Sequence, residues 1–188
     1  MAYRKILEWP NEKLFKKAKR VEDFGEETQN LIKDLIDTCN VSNGAGLAAN
    51  QIGVLKQVVV IKPRLFQVEE EAFEANDYKS DFLVLINPEV ESSGDPAKWR
   101  ESCLSIPDVS GLVQRSSYVL VNYQNEKGEK KMFEVGWPMA GAIQHECDHL
   151  DGYTFNKRMN RMSASLLIKK YQKIRKKKQR ELRKSFKR

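Results

Sequence analysis

The sequence predicts an α+β fold: one domain over residues 1–160, followed by a basic helical extension over 161–188. Three observations carry that expectation. Residues 26–39 show an amphipathic helical pattern, the middle of the chain holds short β-branched and aromatic runs, and the last third returns to helical patterns. At 188 residues the chain is long enough to bury a core of its own.

Within 26–39 (EETQNLIKDLIDTC), Leu31, Ile32, Leu35, Ile36 and Cys39 recur at spacings of three and four and share one helix face. Asn43-Gly44-Ala45-Gly46 then breaks the pattern with a glycine-bearing loop. Strands are expected at 57–61, 82–86, 118–123 and 131–135, all rich in β-branched or aromatic residues. The last two flank 124–130, where Asn125 and Gly128 suit a hairpin turn. Residues 66–80 are acidic and read as an exposed loop between strands. Trp137-Pro138 opens a second helix that runs to Leu150, with the proline in its first turn. A final helix begins near Ser163 or Ser165 and continues almost to the last residue.

Composition excludes several classes. No stretch approaches the apolar length that a membrane span needs, and the first residues lack the apolar centre of an export signal. The expectation is a cytoplasmic protein, with a bacterial, viral or organellar origin all compatible. Three cysteines (Cys39, Cys103, Cys147) without an export signal point to free thiols or a metal ligand, not a disulfide framework. Charge is uneven: residues 157–188 hold 15 Lys and Arg against the single acid Glu181, while residues 1–156 hold 18 against 25 acids. The basic pI therefore describes the extension and not the mildly acidic body.

The only two histidines, His145 and His149, stand four apart in His145-Glu146-Cys147-Asp148-His149, an H-E-x-x-H pattern on an expected helix. Positions four apart differ by about 40° around a helix, so both imidazoles project from one face and can share a metal ion. Glu146 lies about 60° from His149, where its carboxylate can act as a base without being a ligand. Cys147 falls about 200° from His145 and reads as core. A catalytic divalent ion commonly takes three protein ligands, and the third is open on this pattern alone. Asp151 is close in sequence, and no glutamate follows until Glu181. Cys103, in Glu101-Ser102-Cys103-Leu104-Ser105, offers a thiolate, though a lone cysteine is more often a small buried hydrophobe.

Three segments taken together resemble the peptide deformylase family. Residues 44–51 (GAGLAANQ) are similar to its G-x-G-x-A-A-x-Q motif, 101–105 (ESCLS) to E-G-C-L-S, and 144–150 (QHECDHL) to Q-H-E-x-D-H-L; the likeness runs from about residue 3 to residue 160. The resemblance implies antiparallel strands packed around a central metal-binding helix. It implies Cys103, His145 and His149 as ligands to one ion, ferrous iron in the native family and often zinc or nickel in preparations. The implied substrates are N-formylmethionyl nascent peptides, with Glu146 as general base and acid. Gln51 and the Leu104 backbone N–H would stabilise the oxyanion, and Ala45 and Gly46 would approach the substrate backbone. Met139 and Ala142, in the small-sided turn 139–142, would line a methionine pocket roomier than most. Ser102 replaces the usual glycine and would be strained if that position required a positive φ. The rival enzyme reading is an H-E-x-x-H metallo-endopeptidase.

The extension carries a sparse apolar line of Leu167, Tyr171, Ile174, Leu182 and Phe186 among Lys and Arg. Such charge density rewards contact with a phosphate backbone. The resemblance points the same way, because bacterial members dock at the ribosome through a basic C-terminal helix. An anionic membrane surface is the competing partner.

Overall fold

A computed structural model describes residues 3–67 and 81–185. Five antiparallel strands form one sheet in the order β1-β2-β3-β4-β5: β1 Gly46–Ala48, β2 Val58–Ile61, β3 Leu83–Cys103, β4 Ile106–Gln124 and β5 Lys130–Gly136. All four residues of β2 are apolar and buried, as a strand covered on both faces requires. The alternation divides them. Val58, Val60, Val84 and Ile86 meet α1 (Glu26–Val41) through Leu31, Ile32, Leu35 and Cys39. Val59, Ile61, Leu83, Leu85, Val119 and Val121 meet α2 (Met139–Leu150) through Met139, Ala140, Ile143 and Leu150.

The strands expected at 82–86 and 118–123 are only the roots of a far longer hairpin. Beyond them the chain is half exposed, and Pro88, Gly94 and Pro96 are residues that usually end strands. The hairpin tolerates both prolines because the register shifts there, between Ile86 and Glu89 and between Ser93 and Pro96. Asn87, with φ 51°, accommodates the first bulge. The short β1 carries too few residues to show a period. The expected turn at 124–130 forms as read: Asn125 Oδ1 accepts from the Lys127 and Glu129 amides, and Gly128 has φ 84°.

At its far end the hairpin packs Cys103, Ile106, Val109 and Val113 against Phe155, Leu167 and Tyr171, a third apolar cluster. Leu167 and Tyr171 belong to α3 (Arg161–Ser185). That helix begins earlier than the expected serines because Asn160 Oδ1 caps the Ser163 amide at 2.9 Å. The Tyr171 hydroxyl donates to Glu8 and to the Trp9 carbonyl, and Lys178 reaches Asp108 at 2.6 Å. The described residues after Lys178 are exposed, Leu182 included. Phe186, and most of the acidic segment expected at 66–80, lie outside the described residues; Pro63–Phe66 forms a short helical turn.

Leu167 and Tyr171 are the two side chains of α3 that are buried outright. Tyr171→Ala should cost about 3 kcal/mol of stability in urea unfolding, as large-to-small core changes do. A loss below about 1 kcal/mol would mean that the helix is not held by this contact.

Candidate metal centre

Three elements bring the chemistry together. β3 ends on Cys103, which pairs with Ile106 across a tight turn; α2 carries His145, Glu146 and His149; the helical turn Ala49–Ile52 after β1 carries Gln51. One ligand atom from each of Cys103, His145 and His149 lies within 4.8 Å of the others. Cys103 Sγ is 3.2 Å from His149 Nε2, and it also accepts from the Ser105 amide at 3.4 Å and the Gln51 amide at 3.6 Å. No other group of three His, Cys, Asp or Glu donors converges in this way among the described residues.

His145 is oriented from behind. Its Nδ1 donates to Glu101 Oε2 at 2.6 Å, which turns the Nε2 edge of the ring toward the other two donors. Arg115 holds the same carboxylate through Nε at 2.7 Å and Nη2 at 3.0 Å, and its Nη1 continues to Asp148 on α2. Arg158 grips Asp148 from outside. Burial alone would raise the Glu101 pKa, but hydrogen bonds from His145 and Arg115 outweigh it and hold the carboxyl at about 2. His149 is pushed well down, by burial first and then by the His145 and Arg115 charges, so it stays in the neutral, ligating form. Its backbone carbonyl accepts from the Asn50 side chain, while its Nδ1 is buried without a partner.

His145 is pushed well up. Burial opposes this, but hydrogen bonds with Cys103 and Glu101 prevail, so the surroundings favour positive charge between these groups. One sulfur and two imidazole nitrogens brought this close fit a divalent ion of the zinc or ferrous class.

Glu146 lies beside this cluster. Burial pushes its carboxyl up to about 7 against the pull of His145, and its Oε2 is buried without a hydrogen bond. Gly46 makes room for it, since a Cβ there would sit 2.9 Å from Glu146 Oε1. A cleft of about 450 Å³ opens over the group, lined by Ala45, Gly46, Gln51, Leu104, Ala142 and Glu146 among others. A larger hollow, about 930 Å³, lies behind α2 near Lys17, Arg20 and Cys147 and contains none of the three converging donors.

Most residues expected at the site gather here, and one does not. Met139 is fully buried in the core between α2 and the sheet and does not line the cleft. It shares the inward face with Ile143, four residues on. Ser102 continues β3 opposite Ser110 with no left-handed backbone, so the serine is accommodated without that strain. Cys147 packs against the α2 core, as its helical angle indicates. The sequence reading missed Arg115, Asn50 and the role of Asp148. Arg115 has no motif around it; the one available signal was a cation at an inward position of β4, two residues after the buried Val113.

The framework that carries this geometry is shared widely. The polypeptide deformylase family profile matches residues 3–165. A peptide deformylase of Aquifex aeolicus is 40% identical over 172 residues, covering 91% of this chain and 96% of its own length. One from Caldicellulosiruptor bescii is 41% identical over 155 residues, 82% of this chain and 84% of its own. Among solved structures, a peptide deformylase from Legionella pneumophila superposes with a TM-score of 0.82 at 34% identity, covering 95% of this chain and 99% of that one. Another, from Synechococcus elongatus in complex with actinonin, gives 0.77 at 32% identity, with 91% and 87% covered. With sequence and backbone both matched almost end to end, this chain belongs to the polypeptide deformylase family.

Proposed function

We propose that this chain hydrolyses the formamide of N-formylmethionyl nascent peptides, releasing formate, with one divalent ion held by Cys103, His145 and His149. The observation that carries the reading is the convergence of those three donor atoms beside Glu146, under a peptide-sized cleft, in a chain of this family. Ferrous iron is the proposed native ion, with zinc or nickel able to replace it, since a mixed sulfur and nitrogen set suits all three. The endopeptidase reading of H-E-x-x-H has no support in the family match.

When bound, the ion supplies Lewis-acid chemistry: it lowers the pKa of a water and polarises the formyl oxygen. Glu146 takes the proton of the attacking water on a carboxylate oxygen and returns it to the departing amine. A buried carboxyl with a pKa near neutrality is suited to both halves of that task. Gln51 is preset as a donor: its Oε1 accepts from the Ala48 amide at 2.9 Å, which turns Nε2 toward Cys103 and Ser105. That amide and the Leu104 N–H stabilise the developing oxyanion, each contributing about 3 kcal/mol if aimed as comparable donors are. β1 pairs only with β2 in the described sheet, so its other edge, with Ala45 and Gly46, is where an extended peptide backbone would lie.

Residues 161–188 act in this account as an extension that contacts ribosomal RNA. Its support is a docked first half followed by exposed Arg180, Arg183 and Lys184. No described helix is long and apolar enough to cross a membrane. Work on nascent chains places the protein in the cytoplasm or an equivalent compartment.

Glu146→Gln should keep the ion and lose at least about 100-fold in kcat, the lower range for a positioned base. Turnover at the parent rate would remove Glu146 from the chemistry. Since only the deprotonated carboxylate accepts a proton, kcat/KM of the metal-loaded protein should show an acid limb below about 7, because a bound cation lowers the Glu146 pKa from that value. A profile with no acid limb down to the pH at which the protein unfolds would contradict the role. Cys103→Ala should purify with far less than one equivalent of metal; normal stoichiometry would mean that the sulfur is no ligand. For the extension, removing residues 179–188 should abolish salt-sensitive ribosome binding and leave hydrolysis of short formyl peptides intact. Binding that survives the deletion would rule out the RNA contact.

A further inference from the structure

Two neighbouring residues of the turn Ala49–Ile52 reach the metal centre with their side chains. Gln51 donates toward Cys103 and Ser105, and Asn50, fully buried, reaches His149. The Asn50 amide nitrogen donates to the His149 backbone carbonyl. A carbonyl can only accept, so this contact fixes which end of the amide is which and leaves Oδ1 on the other side. The same carbonyl already accepts from the Gly152 amide at 3.0 Å, just past the end of α2. It is therefore not an orphan that needs Asn50.

His149 is the less supported of the two imidazoles. His145 gives its Nδ1–H to Glu101, whereas the Nδ1 of His149 is buried with no partner. Its Nε2 is the nitrogen that faces Cys103 Sγ, at 3.2 Å. A neutral imidazole that offers Nε2 to a metal carries its proton on Nδ1, so a donor is left unanswered in a dry interior. Among the described residues, two buried side-chain oxygens likewise lack a hydrogen bond: Asn50 Oδ1 and Glu146 Oε2. Glu146 is committed to the attacking water in the reading above. One donor and one acceptor remain, on residues already joined through the carbonyl.

We propose that Asn50 is the positioning residue of His149, its Oδ1 accepting the ring Nδ1–H through one buried water. This rests on the metal centre proposed above. A water that joins polar groups lacking partners is the usual way such pairs are completed in protein interiors. The amide then holds His149 at both backbone and ring, and keeps Nε2 toward the ion as Glu101 does for His145. The two supports differ in charge. Glu101 is a carboxylate balanced by Arg115. A neutral amide behind His149 adds no further charge to an interior that already holds Glu101, Glu146 and Asp148.

Zinc affinity of the full chain, measured by chelator competition at fixed pH, separates this role from a merely structural one. Asn50→Ala should weaken zinc binding at least about tenfold, the lower range for loss of an outer partner of a ligating histidine. Asn50→Asp keeps the acceptor for the ring, but it loses the donor to the carbonyl and sets a like oxygen against it. It should bind zinc at least about tenfold more tightly than Asn50→Ala. Were the amide only a brace for α2, Asn50→Asp would bind no better than Asn50→Ala, and that order overturns the proposal. Zinc affinity of Asn50→Ala within about twofold of the parent overturns it too. A high-resolution crystal structure of the zinc-loaded parent decides the matter should the variants not fold. The expected result is an ordered water within hydrogen-bond distance of both Asn50 Oδ1 and His149 Nδ1. Nδ1 bound to another acceptor, or itself on the metal, contradicts it. Failure of the metal-centre reading looks different: the parent itself would take up no zinc at Cys103, His145 and His149.

Discussion

Glu101, which holds the His145 ring, and Glu146 and Asp148, which flank the histidines on α2, are all buried. Negative charge concentrated in a dry interior is unstable unless cations answer it. Arg115 is the permanent answer: one guanidinium spans from Glu101 on β3 to Asp148 on α2 and ties the hairpin to the helix. Arg158 supports Asp148 from a half-exposed position. The remaining excess lies between the thiol and the two imidazoles, and a divalent ion is the charge that would complete the balance. Orientation follows from the same contacts, since the carboxylate held by Arg115 is the one that sets the His145 ring.

The sheet serves this arrangement by being covered on both faces at one end and drawn out into a hairpin at the other. The covered end fixes α2 against five strands through Met139, Ile143 and Leu150. The drawn-out end carries Cys103 back to α2, and α3 closes over it through Leu167 and Tyr171. Asp108, one of the residues lining the cleft, is paired with Lys178, so the basic helix reaches the cleft's lining.

Much of this was legible in the residues. Helical spacing gave α1 and the shared face of His145 and His149, β-branched runs gave β2 and the roots of the hairpin, and three segments in order gave the family. What escaped had no local signature. The long hairpin crosses Pro88 and Pro96 by shifts of register that only pairing with β4 reveals. Arg115 takes its meaning from partners 14 and 33 residues away. The resemblance implies a place for Met139 in the pocket, yet packing turns it to the core. Trp99 lines the cleft, and its indole meets that of Trp137, far along the chain. Local pattern reports the donors; tertiary contact decides what surrounds them.

In the proposed site one sulfur and two imidazole nitrogens bind a single ion. X-ray absorption at the metal edge of zinc-loaded protein reads that set directly. The expected result is one equivalent of zinc with one sulfur at about 2.3 Å and two imidazole nitrogens at about 2.0 Å. A first coordination sphere of nitrogen and oxygen only, with no sulfur, would contradict the account.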